Sequence, residues 1–389
     1  MSFAYFADLT DNAPMFTRAY EPLATYLQAN KVLVIYGPRQ VGKTTLLQTL
    51  LAQTALRCKL VSGDDIHVQH TLSSQDIKRI VGFVEGYDLL AVDEAQGIPN
   101  IGLGLKILVD HAPGIFVIAT GSSSFELAGQ VGEPLTGRKR TLTLYPIAQS
   151  ELLADYNRFE LRERLAEYLV FGSYPEVLLA TSRADKTAVL AEIAGSYLLK
   201  DVLALERVKS SRTLLDLLRL VAFQVGNEVS LSELASGLAV DAKTVQRYLD
   251  LLEKAFVIFR LSAYSRNLRQ EVVRKSKYYF FDNGIRNAVI AQFNPLDQRD
   301  DVGQLWENFV VVERMKHRTY APIYANAYFW RTYQKQEIDL VEEREGRLWA
   351  YELQWSPRRR VRVPPQWREA YPDASFEVVT RENYLETVA

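Results

Sequence analysis

The stretch Lys31–Leu51 reads KVLVIYGPRQVGKTTLLQTLL, and it decides the fold of the N-terminal third of the chain. Its first part, Val32–Tyr36, is a short apolar run rich in β-branched residues, which is typical of a buried parallel strand. The segment GPRQVGKT follows and matches the pattern G-x-x-x-x-G-K-[ST], and the next residues have the composition of a helix. Strand, loop and helix in this order are the setting that the pattern requires, so we predict a phosphate-binding loop.

The predicted loop gives its residues defined roles. Its backbone N–H groups are expected to surround the phosphates of ATP, and the helix N-terminus adds a positive dipole. Lys43 is expected to reach the β- and γ-phosphates, and the Thr44 hydroxyl to ligate Mg²⁺. The residues predicted to bind nucleotide here are Gly37, Pro38, Arg39, Gln40, Val41, Gly42, Lys43, Thr44 and Thr45.

A second apolar run, Leu89–Val92, ends at the acidic pair Asp93-Glu94. Asp93 is expected to hold Mg²⁺ through water, and Glu94 to polarise the water that attacks the γ-phosphate. The alternative is that the pair merely starts a helix, with one residue as the N-cap and the other as a first-turn acid.

Polar residues also follow two other predicted strands. At the end of the run Gly114–Ser123, either Thr120 or Ser122 is expected to sense the γ-phosphate, unless the segment is a plain strand-to-loop transition. Asp64 and Asp65 follow CKLVSG, and they either lie near the site or cap the next helix.

Hydrolysis of ATP often needs an arginine that contacts the γ-phosphate. The segment LTGRKRTLTLYPIAQSEL offers Arg138, with Arg140 as the second choice. The alternative for both is an ordinary solvated basic loop before a strand.

Composition limits the class of protein. A length of 389 residues suggests two to four domains at roughly 100–200 residues each. A net charge of −1 means that the chain has no overall positive field that would indicate nucleic-acid binding. It does not exclude a local basic patch. Cys58 is the only cysteine, which excludes an intramolecular disulfide and a cysteine-rich zinc site. The sequence shows neither a signal peptide nor an apolar run near the ~20 residues that span a bilayer, so we expect a cytoplasmic protein without a membrane partner.

The middle of the chain has the sequence pattern of helices followed by a DNA-binding segment. Residues 151–208 have helical periodicity, and 213–264 predict a helix, a short helix, a longer helix and a strand, which is the winged helix-turn-helix order. The start of the longer helix would then face the major groove of DNA. The residues expected there are Lys243, Thr244, Gln246 and Arg247. The residues expected on phosphates from the wing are Arg266, Arg269, Arg274, Lys275 and Lys277. The alternative is a module that packs or contacts protein.

The stretch Glu337–Trp355, EIDLVEEREGRLWAYELQW, resembles the core of a metal-dependent nuclease. A hairpin would bring Asp339 and Glu352 together to hold Mg²⁺ as a weak second metal site. Such cores carry a lysine two positions after the glutamate, where this chain has Gln354. Nuclease activity is therefore not expected, and an inert scaffold is the favoured interpretation.

Neighbouring residues bear on this second site. Lys335 or Arg331 is a candidate for the missing cation, and Glu313 for a further carboxylate. Strand alternation predicts that Glu337 and Val341 share the face of the aspartate. The basic run that follows is either a loop that binds DNA phosphates or plain surface; it comprises Arg358, Arg359, Arg360 and Arg362.

The order of GPRQVGKTTL, LLAVDEAQ, ATGSSSFEL and LTGRKRTLTLYPIAQSEL resembles the prokaryotic AAA-type (AAA+) ATPases that carry a C-terminal domain of unknown function. The resemblance continues through YLVFGSYPEVLLA, SYLLKDV, DNGIRNAVI and FWRTYQKQEIDLV. It implies an α/β chain with four parts: a parallel-sheet ATP-binding domain at 1–150, a helical linker at 151–210, a winged helix at 211–275, and a small restriction-endonuclease-like domain at 276–389.

The function expected on these grounds is ATP hydrolysis with Mg²⁺ that moves the C-terminal modules. The alternatives are a nucleotide-regulated module that binds DNA or protein with little turnover, and an ATP-dependent nuclease. A partner protein or a homo-oligomer is compatible with each of them.

Overall fold

The computed structural model describes residues 16–121, 134–197, 210–264, 276–356 and 361–389. Several residues named above fall outside these ranges, so their predicted roles are not addressed by the fold. They are Ser122, Arg266, Arg269, Arg274, Lys275, Arg358, Arg359 and Arg360.

The first sheet has five strands, all paired in parallel, in the order β2-β3-β4-β1-β5. The strands are β1 (Val32–Tyr36), β2 (Cys58–Ser62), β3 (Leu89–Asp93), β4 (Phe116–Gly121) and β5 (Lys139–Thr143). The predicted parallel α/β fold is confirmed. In such a sheet the carboxyl ends of all strands share one edge, which is where ligands bind in open α/β folds.

Helices cover both faces of this sheet. They are α1 (Lys43–Gln53), α2 (Ile66–Leu72), α3 (Ile77–Phe83) and α4 (Ile101–His111), with 3₁₀ turns at Leu23–Tyr26 and Ala95–Gly97. All five residues of β1 are buried, as expected for a strand covered on both sides. Asp65 precedes α2 and is its N-cap, because its carboxylate accepts from the N–H groups of His67 and Val68.

The predicted helical linker is helical in the structure. Its helices are α5 (Gln149–Leu152), α6 (Arg158–Glu163), α7 (Leu165–Phe171), α8 (Pro175–Leu179) and α9 (Arg183–Glu192), followed by a π-helical turn at Ile193–Tyr197. Helix α7 ends at Gly172, which has φ 72° and lies against the Asp282 carboxylate so closely that a Cβ would stand 1.9 Å from its oxygen. Only glycine fits this contact.

The next segment has the helix order that the sequence predicts. Its elements are α10 (Ser211–Phe223), β6 (Glu228–Val229), α11 (Leu231–Leu238), α12 (Ala242–Lys254), β7 (Ile258–Ala263) and β8 (Ser276–Phe280). Ser230 caps α11 and Asp241 caps α12, because their side-chain oxygens accept hydrogen bonds from helix N–H groups. A winged-helix function for this segment stays a prediction.

The second sheet is mixed and has seven strands in the order β12-β11-β10-β9-β7-β8-β6. The remaining elements are α13 (Asn283–Val289), a 3₁₀ turn at Leu296–Gln298, α14 (Val302–Tyr320), β9 (Asn326–Arg331), β10 (Glu337–Arg344), β11 (Arg347–Leu353), α15 (Pro365–Ala370), β12 (Ser375–Val379) and α16 (Tyr384–Val388). The sheet runs across the proposed boundary at 275/276, because β6 and β7 precede it and the other five strands follow it. The division into four domains stays a prediction.

A β-bulge in β10 changes which residues share a face. Ile338 pairs with Trp330 and Val341 with Tyr328, so β10 has one extra residue over this interval. Ile338 and Val341 therefore lie in the same apolar cluster. The expectation that Val341 shares the face of Asp339 is wrong, because simple alternation does not anticipate a bulge.

Helix α14 is tied to the end of the first sheet by buried polar contacts. The Glu313 carboxylate accepts from the Gln149 N–H at 2.7 Å and from Lys316 Nζ at 2.7 Å. Lys316 Nζ also donates to the Ile147 carbonyl at 3.3 Å. Glu313 is thus part of this junction, and its expected place beside Asp339 is not observed. Among the described residues, no helix is both long and apolar enough to cross a membrane.

Candidate nucleotide-binding site

The loop between β1 and α1 has a backbone that only glycine permits at two points. Gly37 has φ 152°, and a Cβ there would stand 1.9 Å from the carbonyl oxygen of Leu144. Gly42 has φ 91° in the left-handed region and directly precedes α1. These conformations bend the chain around the N-terminus of α1, where free N–H groups favour an anion.

Lys43 lies under this loop. Its side chain is buried, with 5% of the residue exposed. Its Nζ donates to the carbonyl oxygens of Gly37 at 3.0 Å and Pro38 at 2.5 Å. Thr44 and Thr45, on the first turn of α1, are exposed. The ammonium group therefore lies on the inner side of the loop, while the next two side chains face outward.

Three polar side chains, one from the first turn of α1 and two from the ends of β3 and β4, meet beside the loop. The Thr44 hydroxyl donates to one oxygen of the Asp93 carboxylate at 2.8 Å, and the Thr120 hydroxyl donates to the other. Because β4 pairs with β3 in the sheet, Thr120 at the end of β4 lies beside Asp93, which accepts from both hydroxyls. Of the two candidates at the end of this strand, the structure describes Thr120 and places it here.

Glu94 follows Asp93 in a constrained backbone. It has φ 51°, and its N–H donates to the Thr120 hydroxyl at 3.1 Å. Its carboxylate accepts from the side-chain amide of Gln96 and caps no helix. Gly63 approaches the Glu94 carbonyl so closely that a Cβ on it would stand 2.1 Å from that oxygen. The alternative that this pair merely caps a helix is not what the geometry shows.

Arg18 is a residue of this site that the sequence analysis missed. Its Nη1 donates to the carbonyl oxygen of Val41 inside the loop, and its Nη2 to that of Tyr145 at 2.7 Å. Its Nε donates to the Glu151 carboxylate at 2.9 Å, and 7% of the residue is exposed. No motif marks this arginine, because it precedes the first strand in a segment without clear periodicity.

Arg138 and Arg140 lie elsewhere. The Arg138 carbonyl accepts from the Val32 N–H at the start of β1, and its Nε pairs with Asp110 at 2.6 Å. This is the opposite end of the strands, roughly 16 Å from the loop at about 3.3 Å per strand residue. The Arg140 guanidinium stacks on the Tyr26 ring, 4.6 Å from its centroid. The structure does not bring either arginine to the loop of its own chain.

The second predicted site holds a buried lysine. Lys277 Nζ lies 3.0 Å from Glu307 and 2.7 Å from Glu337, with 1% of the residue exposed. Its expected place in a DNA-binding wing is therefore wrong. Arg331 pairs with Glu228 at 3.4 Å and with Glu337 at 3.7 Å, whereas Lys335 is exposed. The positive charge that acts on Asp339 and Glu352 thus comes from Lys277 on β8, a strand that sequence spacing did not suggest.

Burial and mutual repulsion raise the pKa values of the carboxyls at this second site. The pKa of Asp339 is well above its usual range because of burial and the nearby Glu307 and Glu352 carboxylates. Burial and the Glu337 and Glu307 carboxylates raise the pKa of Glu352 to about 7. Across the part of the chain that the structure describes, no group of three or more acidic, His or Cys residues is arranged to hold a metal. The weak second metal site at Asp339 and Glu352 stays a prediction, and Lys277 supplies positive charge beside these two carboxyls.

The residues predicted to read DNA on α12 are partly engaged within the chain. Thr244 bonds Asp241 through its N–H and its hydroxyl, both at 2.8 Å. The Gln246 amide donates to Asp250 at 2.7 Å, and the Arg247 guanidinium lies 5.4 Å from the centroid of the Tyr248 ring. Lys243 and, in the basic run near the C-terminus, Arg362 are exposed. DNA contact stays a prediction.

Three segments of the chain match known families. Residues 29–153 match the family described as AAA domain, and 302–386 match a domain of unknown function, DUF4143. Residues 162–296 match a second domain of unknown function, DUF8612. The chain therefore has a segment similar to AAA domains ahead of a segment similar to a domain of unknown function, in the order that the resemblance of its motifs implies.

The curated relatives are uncharacterized proteins. One from Mycobacterium tuberculosis is 29% identical over 327 residues, covering 83% of this chain and 70% of the relative. One from Haemophilus influenzae is 27% identical over 318 residues, covering 76% and 77%. One from Methanocaldococcus jannaschii is 25% identical over 309 residues, covering 73% and 66%.

Solved structures of nucleotide-binding proteins are distant neighbours. AMPPCP-bound DnaA from Aquifex aeolicus is 21% identical, with a TM-score of 0.28, covering 60% of this chain and 84% of that one. A STAND ATPase from Pyrococcus horikoshii is 15% identical, with a TM-score of 0.31, covering 80% and 48%. Similarities of this size do not argue for a function, which has to be inferred from the site.

Proposed function

We propose that this protein binds ATP with Mg²⁺ and hydrolyses it at the edge of the first sheet where β1, β3 and β4 end. One observation carries the proposal: the Thr44 hydroxyl, the Asp93 carboxylate and the Thr120 hydroxyl form a hydrogen-bonded row beside a glycine-shaped loop. A phosphate loop, a carboxylate and a polar residue in this arrangement are the parts that phosphoryl transfer requires.

The loop binds the phosphates of ATP. Its N–H groups and the N-terminus of α1 face the anion, and Gly37 and Gly42 give the backbone the conformation for this. Lys43 exchanges its two carbonyl partners in the loop, those of Gly37 and Pro38, for β- and γ-phosphate oxygens. This exchange couples nucleotide binding to a change in the loop.

The residues present also fit Mg²⁺, which prefers oxygen ligands and keeps several waters. The Thr44 hydroxyl and the Asp93 carboxylate, 2.8 Å apart, would hold it. When bound, the ion neutralises charge that develops on the phosphates. Thr120 orients Asp93 by donating to its second oxygen.

Glu94 is the residue that positions the attacking water. Its carboxylate accepts a proton from the water as the water oxygen bonds to the γ-phosphorus and the bond from that phosphorus to the β-phosphate oxygen breaks, which gives ADP and phosphate. The Gln96 amide and the contact with Gly63 hold Glu94 in place.

The contacts of Arg18 support movement of the C-terminal part during this cycle. The arginine joins the Val41 carbonyl of the loop to the Tyr145 carbonyl, and the Tyr145 N–H donates to the Tyr320 hydroxyl at the end of α14 at 3.0 Å. A change in the loop is thus connected through these hydrogen bonds to the end of α14.

Binding and turnover of Mg·ATP by Lys43→Ala test the proposal. We expect nucleotide affinity and turnover to fall steeply, whereas Lys31→Ala, an exposed lysine just before β1, keeps both. Normal binding and hydrolysis by Lys43→Ala would refute the proposal. Repeating the turnover assay with duplex DNA asks whether DNA stimulates the reaction.

A further inference from the structure

The outer edge of β5 is an open strand edge within the described part of the chain. The Arg138 carbonyl and the Leu144 N–H bond to β1, so by alternation Lys139, Thr141 and Thr143 direct their backbone groups away from the sheet. Among the described residues, no strand pairs with this side of β5. The Thr143 carbonyl accepts from the Tyr20 hydroxyl at 3.2 Å.

A cavity of about 600 Å³ runs beside this edge. It lies between β5 on one side and the end of α14 with the following loop on the other. Its size is within the roughly 300–1,000 Å³ that ligand clefts occupy. The lining residues are Tyr20, Tyr26, Arg140, Thr141, Leu142, Thr143, Met315, Arg318, Thr319, Tyr320, Pro322, Ile323, Tyr324 and Ala325.

The lining is cationic and aromatic. It contains two arginines and no carboxylate. The Arg140 guanidinium is held over the Tyr26 ring, and Arg318 Nη1 donates to the Ala325 carbonyl at 3.4 Å while its Nε lies 3.4 Å from Glu342. Tyr324 is 91% exposed at the rim. Such a surface favours an anionic partner that also offers apolar groups to the tyrosine rings.

We propose that this cleft, defined by β5 and residues 315–325, binds an extended acidic peptide of a partner protein as an added antiparallel or parallel strand. The open edge distinguishes a peptide from a nucleic acid. Only a peptide backbone offers N–H and C=O groups in the alternation that matches the outward-facing backbone groups of Lys139 and Thr141. Acidic side chains of the peptide reach Arg140 and Arg318, and the intervening side chains pack on the tyrosine rings.

The simpler interpretation of part of this surface is an edge strand that is protected against pairing with other sheets. Lysine on an edge strand keeps sheets from associating, and Lys139 fits that role. Protection does not account for a cleft along the same edge, or for two arginines placed among four tyrosines. The proposed site is separate from the nucleotide loop and goes beyond ATP hydrolysis.

The test uses the full chain and a fluorescein-labelled peptide, Val-Glu-Val-Glu-Val-Glu-Val, in an anisotropy titration. We expect saturable binding, at least tenfold weaker in Arg140→Glu and in Thr141→Pro. The proline removes an outward N–H without removing a bond to β1. Arg347→Glu, the same charge reversal at an exposed strand residue elsewhere, is the matched control and keeps the affinity.

Two altered peptides test the chemistry. Lysine in place of glutamate, or N-methylation of alternate backbone nitrogens, is expected to reduce binding by at least tenfold. Absence of binding of the acidic peptide up to about 1 mM would overturn the proposal. Equal binding by Arg140→Glu and Thr141→Pro, or by either altered peptide, would do so too. Tighter binding of an oligo-dT strand that displaces the peptide would assign the cleft to nucleic acid instead.

Discussion

The guanidinium of Arg18 donates to the main-chain carbonyl of Val41, inside the loop that connects β1 to α1. The same side chain bonds the Glu151 carboxylate and the Tyr145 carbonyl. One buried arginine thus connects the conformation of the proposed phosphate loop to the segment that leads into the helical linker.

Replacing Arg18 with lysine tests this connection. A lysine ammonium cannot reach all three partners in the fixed geometry of a guanidinium. Loss of one charged hydrogen bond at about 1.5–3 kcal/mol predicts nucleotide affinity that is roughly ten- to a hundredfold lower. Isothermal titration calorimetry with an ATP analogue and Mg²⁺ measures this affinity. Arg57→Lys, in an exposed pair with Asp88, is the control. An unchanged affinity of Arg18→Lys would contradict the inferred role.

Thr120→Val removes the hydroxyl that bonds Asp93 and the Glu94 N–H while keeping the side-chain shape. Because these contacts orient the proposed metal and water residues, turnover is expected to fall roughly ten- to a hundredfold, at about 1.5–3 kcal/mol per charged hydrogen bond. Affinity for ATP is expected to change much less. Thr120→Ser keeps the hydroxyl and is expected to retain most turnover. Equal activity of the valine and serine variants would rule out this role.

Gly63→Ala tests the support beneath Glu94. Its Cβ would stand 2.1 Å from the Glu94 carbonyl oxygen, so the backbone of Glu94 has to shift. We expect a clear loss of turnover, measured by phosphate release. Gly82→Ala, where nothing lies within 4 Å of the new Cβ, is the matched control and should behave as the parent protein. Full activity of Gly63→Ala would show that the position of Glu94 tolerates this movement.

The N-terminal fold follows from the sequence because its signals are local. The run Val32–Tyr36, the glycines of the next loop and the pair Asp93-Glu94 each need only a few neighbouring residues to be recognised. The position of Thr120 beside Asp93 depends on the strand order, which no local pattern contains.

Long-range pairing explains what the sequence did not reveal. Lys277 and Glu337 are far apart in the chain but 2.7 Å apart in space, because β8 and β10 belong to one sheet. Similarly, the bulge in β10 moves Val341 to the other face through a register shift that alternation cannot predict. Sequence order alone made Arg138 a candidate for contact with the γ-phosphate. In the structure, Arg138 precedes a strand that starts at the end of the sheet far from the phosphate loop.

Glu352 predicts a pH dependence of stability. Its pKa is raised to about 7 in the folded state, from a usual value of 4.5, so between these pH values the folded chain binds more protons than the unfolded chain. The free energy of unfolding therefore falls as pH rises through this window. Glu352→Gln, which stays neutral, is expected to match the parent at pH 4 and to melt higher at pH 8.

Thermal melts in EDTA at both pH values measure this difference. At pH 8 the melting temperature of Glu352→Gln is expected to exceed that of the parent by roughly 2–4 °C for each kcal/mol of stability gained. Glu369→Gln, at an exposed glutamate, is the control. A melting temperature that shifts equally at both pH values, or only at pH 4, would contradict the raised pKa of Glu352.

The most direct test of ATP hydrolysis at this site is single-turnover hydrolysis of ATP by Glu94→Gln. Glutamine keeps the size of the side chain and its contact with Gln96 but cannot accept the proton of the attacking water. The proposed function predicts near-normal binding of Mg·ATP and a hydrolysis rate lower by at least roughly a hundredfold, within the 10²–10⁴ that a general base contributes. Hydrolysis at the parent rate, with binding intact, would contradict it.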